Sequence, residues 1–146
     1  MISTTHSGPT TDGVQFQATC FACGSENPHG LRLKFHVDPS GTATADLALS
    51  PQWEGPSGIV HGGIASTLLD EAMAKAAATT GCKAMTAELR VRFRESAKTG
   101  ERLQLRGWVV RQEKRLIETE ATLTAADGSE RAHAWGKFIV VVTATP

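Results

Sequence analysis

Apolar and polar residues alternate along most of the chain, and one stretch departs from that rhythm. Ile64, Leu68, Leu69, Ala72, Met73 and Ala76 recur at helical spacing, and neither proline nor glycine interrupts residues 64–80. Gly81 supplies a C-terminal stop. Ala65, Ala74, Ala77 and Ala78 extend the apolar surface nearly all the way round, which predicts a buried helix. So many alanines also predict a neighbour packed close to the helix backbone. One arc stays polar: Ser66 and Asp70 are four apart, and Glu71 and Lys75 sit beside them at the spacing of a favourable pair.

The flanking pattern is that of strands. Leu31, Leu33, Phe35 and Val37 alternate with polar residues, and so do Ala43, Ala45, Leu47 and Leu49. The turn-forming Asp38-Pro39-Ser40-Gly41 between these runs makes them a hairpin. Residues 50–60 form a loop that leads into Gly62 and Gly63 at the head of the helix. After Gly81, strands are expected over residues 85–93, 103–110, 116–123 and 132–142. In the first of these, Ala87, Leu89, Val91 and Phe93 share one face. Residues 97–100 make a turn, and Asp127-Gly128 is a strong tight-turn signal. Two strands, one buried helix and four strands suggest an antiparallel sheet curled around that helix, an α+β fold.

The remaining segments lie N-terminal. Residues 1–17 are rich in Thr, Ser and Gly and read as a flexible tail, with Val14 and Phe16 able to dock. Cys20 to Leu31 is a compact, turn-rich segment marked by Asn27-Pro28 and Gly30. At 146 residues, the chain forms one domain over residues 18–146 with enough length for a core.

Composition narrows the function. The 15 basic residues balance the 15 acidic ones, so no nucleic-acid partner is expected. No apolar run reaches membrane-spanning length, and no basic-then-apolar start predicts export. Three cysteines, an odd number, argue against a disulfide framework and for a reduced, cytoplasmic setting. Cys20 and Cys23 invite a zinc reading, with His29 and His36 as further ligands. Strand alternation already explains His36, however, and a second cysteine pair is missing. No metal is expected.

Gly55-Pro56 through His61-Gly62-Gly63, then Asp70, then Thr86-Ala87-Glu88-Leu89-Arg90-Val91 and Lys98-Thr99-Gly100-Glu101, follow one another in fixed order. Over residues 20–142 this set resembles the hotdog-fold acyl-CoA thioesterases. The branch is that of the phenylacetate-pathway thioesterase, hydroxybenzoyl-CoA thioesterase and the mammalian thioesterase-superfamily proteins. The resemblance implies a hydrolase that splits acyl-CoA into free acid and CoA. Coenzyme A is then part of the substrate, and no cofactor is implied. By the same resemblance, Gly62 offers the backbone amide that holds the oxyanion, and Asp70 is general base or nucleophile.

The chemistry suits those residue types. A helix N-terminus offers free amide donors and partial positive charge. Gly62 and Gly63 let a carbonyl approach those donors unobstructed. His61 caps the helix or orients the loop, with direct catalysis as the rival role. Thr86 falls where relatives carry a Ser or Thr touching the acid or the attacking water. Glu71 is the rival carboxylate, better explained by its pair with Lys75. Some relatives carry a polar Asn or Gln in the loop before the histidine, where this chain has Gly55-Pro56. Gly63 is a candidate substrate contact, and Arg90, Arg92 and Lys98 are candidates for the phosphates of coenzyme A. Trp53, Met73 and Met85 are candidates for the pocket lining.

Eight residues separate Gly62 from Asp70, about 12 Å along a helix. Oxyanion donor and attacking group must both lie about 3 Å from one reacting carbon. Two antiparallel helices related by a two-fold axis satisfy this where one helix does not. A homodimer with shared sites is therefore expected, and the resemblance implies the same, with a homotetramer as a pair of dimers. Three readings compete: a non-catalytic acyl-CoA binding or sensing protein, a hotdog dehydratase, and a purely structural partner.

Overall fold

A computed structural model describes residues 18–143. The N-terminal tail, with Val14 and Phe16, lies outside the described residues. The chain divides into two compact units, one ending at Lys34 and the other beginning at Phe35.

The first unit is built from turns. Its backbone closes through Gly24 N–H to Cys20 O at 2.8 Å and Glu26 N–H to Ala18 O at 2.9 Å. A side chain at Gly24 would collide with the Ala18 and Cys20 backbone. Asn27 organises the second half: its Oδ1 accepts the His29 N–H, and its Nδ2 donates to Thr19 O. No disulfide joins Cys20 and Cys23, whose sulfurs lie within 4.8 Å of each other. The Cys23 N–H points at Cys20 Sγ, 3.5 Å away. No histidine joins the two sulfurs within the same reach among the described residues.

The second unit contains β1 (His36–Val37), β2 (Ala43–Leu47), α1 (Gly62–Ala78), β3 (Lys83–Phe93), β4 (Leu103–Glu113), β5 (Leu116–Ala125) and β6 (Glu130–Val142). A short 3-10 turn, Pro51–Trp53, precedes the helix. The strands form one sheet in the order β1-β2-β4-β5-β6-β3, every neighbouring pair antiparallel. The sheet curls around α1, which packs against β2 through β6. This is the hotdog arrangement expected from the order of elements.

The helix begins two residues earlier than its apolar pattern, at Gly62, because His61 caps it. His61 has non-helical backbone angles, and its Nδ1 accepts the Gly63 N–H at 2.9 Å. The alanines serve close approach, as anticipated. A Cβ at Gly107 on β4 would run into the Ala72 carbonyl, and one at Gly136 on β6 would meet the Met73 sulfur at 2.9 Å. Leu68, Leu69, Ala72, Met73 and Ala76 are fully buried. Glu71 and Lys75 pair at 3.8 Å on the helix.

Most boundaries fall within two residues of the sequence expectation, and two differ by more. The first strand was expected over residues 31–37 but is reduced to His36–Val37. Arg32 adopts a left-handed backbone (φ 53°), which breaks an extended run. The Leu31 and Leu33 N–H groups bond the Phe21 and Ala22 carbonyls instead of a neighbouring strand. At the other end, β4 runs to Glu113, and a two-residue turn reverses it into β5 with Lys114 at φ 53°. A lysine in that conformation carries none of the usual glycine or asparagine signal. The Asp127-Gly128 turn forms as expected, with Gly128 at φ 86° and Asp127 Oδ1 accepting from Ser129 N–H and Oγ.

Candidate active site

Two groups on α1 face the same edge of the sheet. Gly62 is its first residue and is exposed. Among the described residues its N–H has no hydrogen-bond partner, whereas the Gly63 amide is taken by His61 Nδ1. The Gly62 carbonyl accepts from Ser66 Oγ at 2.8 Å. Beside Gly62 stands the Phe93 ring, 3.6 Å from where a Cβ would be. A carbonyl oxygen can therefore reach one unspent amide donor at the positive end of the helix.

Two turns further on, Asp70 Oδ1 accepts from Thr86 Oγ1 at 2.8 Å, tying helix to strand. Partial burial is the largest influence on Asp70 and raises its pKa; the Thr86 hydrogen bond works against the shift, and the Glu71 charge adds to it. One oxygen of the carboxylate is held by Thr86. The other is able to hold a water or to attack directly.

The meeting of Thr86 and Asp70 depends on a feature that alternation does not reveal. Thr86 pairs with Phe138 and Glu88 with Lys137, leaving Ala87 as a bulge. Opposed residues share a face, so Thr86 lies on the side of buried Phe138. Leu89, Val91 and Phe93 pair with Gly136, Ala134 and Ala132 on that same side. Strict alternation would have turned Thr86 away from the helix. The bulge reverses the parity and aims it at Asp70.

The basic residues lie elsewhere. Arg90 pairs with Trp135 and Arg92 with His133 on the opposite face of the sheet, and the Arg90 guanidinium stacks 4.3 Å from the Trp135 ring centre. His133 stacks on the same Trp135 at 4.4 Å and contacts Glu120 at 2.9 Å. Lys98 is exposed in the turn after β3, where its N–H donates to Glu101. The structure thus unites His61, Gly62 and Gly63 at one end of the helix and Asp70 with Thr86 further along. It brings Arg90 and Arg92 to neither. Met73 is fully buried and Met85 is half exposed on β3.

A family model described as the thioesterase superfamily matches residues 57–132, from the loop before the helix to the start of β6. The chain belongs to the thioesterase superfamily. Among solved structures, the thioesterase-superfamily protein RHA08564 is 30% identical with a TM-score of 0.78. That match covers 81% of this chain and 61% of the other, so this superfamily member spans less than two thirds of that relative. The smu.793 protein of Streptococcus mutans, solved bound to acetyl CoA, is 21% identical, with a TM-score of 0.73 over 77% of this chain and 91% of its own. The PaaI protein of the E. coli phenylacetic acid degradation operon is also 21% identical, with a TM-score of 0.71 over 77% and 83%. The last two share the fold. No curated protein matches the chain. Among the described residues of this thioesterase-superfamily chain, no helix is long and apolar enough to cross a membrane.

Proposed function

We propose that this chain hydrolyses acyl-CoA thioesters and does so as a homodimer. The observation that carries the reading is the unspent Gly62 amide at the head of a helix that also bears Asp70, partly buried and hydrogen-bonded by Thr86. A thioester carbonyl accepting from Gly62 N–H is polarised, and the negative charge that grows on its oxygen during attack falls at the positive helix end. Asp70 takes a proton from water, or attacks and is freed by water in a second step. The carbon–sulfur bond breaks, and CoA leaves as its thiol.

The two groups lie about two turns apart on one helix and cannot both reach one carbonyl. β3 is the last strand of the sheet, and Met85, Leu89 and Phe93 expose apolar side chains along it. A long unpaired edge of this kind is a site for another strand. A second copy aligned antiparallel there would bring its Asp70 toward this chain's Gly62, and the reverse.

The test is Asp70→Asn assayed with acyl-CoA esters by release of free thiol. Turnover should fall by at least about 100-fold, the scale of a lost general base, while CoA-ester binding persists. Binding without turnover in the unmodified protein would instead identify an acyl-CoA binding or sensing module.

A further inference from the structure

Next to Gly62 opens a groove of about 320 Å³. Phe93 belongs both to its wall and to the surroundings of the Gly62 amide. Ala97, Leu123 and Ala132, all buried, line it together with Ile59. Its volume lies within the range of small-molecule sites.

The charged side chains at this groove are already paired. Arg94 Nε lies 2.7 Å from Glu130 Oε1. Arg131 is held by both Glu101 and Glu95, and Glu95 itself lines the groove. Three carboxylates, Glu95, Glu101 and Glu130, thus surround two guanidiniums, so a substrate carboxylate would meet a net negative charge here. A pantetheine arm, with its two amides, would give up water here against methyl and phenyl surface. An apolar chain gives up nothing polar.

From this we infer that the groove holds the acyl group of the substrate and selects neutral, apolar acyl groups over short ones and over those ending in a carboxylate. The inference rests on the thioesterase reading above. With the thioester oxygen on the Gly62 N–H, the acyl chain runs past the Phe93 ring toward Ala97 and Ala132. Each buried methylene contributes a factor of roughly four in binding. A terminal carboxylate enters where the acidic side chains outnumber the basic ones.

The experiment compares acetyl-CoA, hexanoyl-CoA and adipoyl-CoA, the last two matched in length and differing in the terminal charge. Expected is a kcat/KM at least about ten-fold higher for hexanoyl than for acetyl. Hexanoyl should exceed adipoyl by on the order of 100-fold. Ala97→Leu, which fills the groove, and Phe93→Ala, which removes an exposed wall, should each lower the hexanoyl-to-acetyl ratio. Phe93 is 54% exposed, so its truncation leaves the core intact should the filled variant fail to fold; because Phe93 also lies along the proposed pairing edge, the ratio is read on the dimeric fraction. Equal rates for the three esters, or variants that raise KM for every ester alike, would place pantetheine in the groove and overturn the inference while leaving the hydrolase reading standing. Turnover of none of them would overturn both.

Discussion

At the scale of single residues, Asp70 sets the pH behaviour. Burial lifts its pKa above that of an ordinary aspartate, so the acid limb of kcat/KM should lie higher than an exposed aspartate would give. The Thr86 hydrogen bond stabilises the charged form. Thr86→Val should therefore move that limb to still higher pH, while Glu71→Gln, by removing a like charge, should move it down. A pH–rate profile that stays put in both variants would show that Asp70 does not control the reaction. Stability follows the same sign. A carboxyl whose pKa is raised by folding costs stability above its folded pKa, and the cost vanishes below the unfolded value of about 4. Asp70→Asn should thus raise the thermal midpoint near neutral pH, with the gain shrinking as the pH falls toward 4. The candidate phosphate contacts are tested at this scale too. Replacing Arg92 and Lys98 together by Gln should raise KM for CoA esters but not for short pantetheine esters. Equal effects on both would discard those residues.

At the scale of elements, helix and sheet are fitted where side chains are smallest. Gly107→Ala would press a methyl group against the Ala72 carbonyl. It should cost about 1–3 kcal/mol, the penalty of overpacking, in a denaturant titration. The sequence disclosed this contact in part: the alanines of α1 announced a close neighbour, without naming Gly107. It also disclosed the helix, whose apolar residues leave only one polar arc, and the long strands, where β5 alternates half-buried and buried positions throughout. What it hid is conformational. Arg32 and Lys114 take left-handed angles without being glycine or asparagine, so nothing in composition marked the shortening of β1 or the turn into β5. The bulge at Ala87 was hidden for a similar reason: an extra residue leaves the apolar pattern from Leu89 to Phe93 untouched and changes only the face on which Thr86 lies. Thr86 was singled out by resemblance alone. The means by which it reaches Asp70 was not legible, because register is decided by pairing with β6 rather than by β3 alone.

At the scale of the whole molecule, the question is whether one chain or two make a site, and the capped helix offers a clean way to ask. Gly62 is the first helical residue, a position that accepts proline because its N–H is unused within the helix. The preceding residue, His61, already lies outside the helical region that proline disfavours in its neighbour (ψ 135°). A Cβ at Gly62 meets only the Phe93 ring, at ordinary contact distance. Gly62→Pro should therefore fold normally while removing the one amide assigned to the oxyanion. Alone it should be inactive, as should Asp70→Ala. If sites are shared, a heterodimer of the two holds one site with both Gly62 and Asp70 intact and one with neither. Random exchange of an equal mixture makes half of the dimers mixed, so about a quarter of the unmodified activity should return. Sites contained within single chains would return none, however long the mixture stood. Recovery should also follow the rate of subunit exchange and fail when the two variants are mixed under conditions that prevent dissociation.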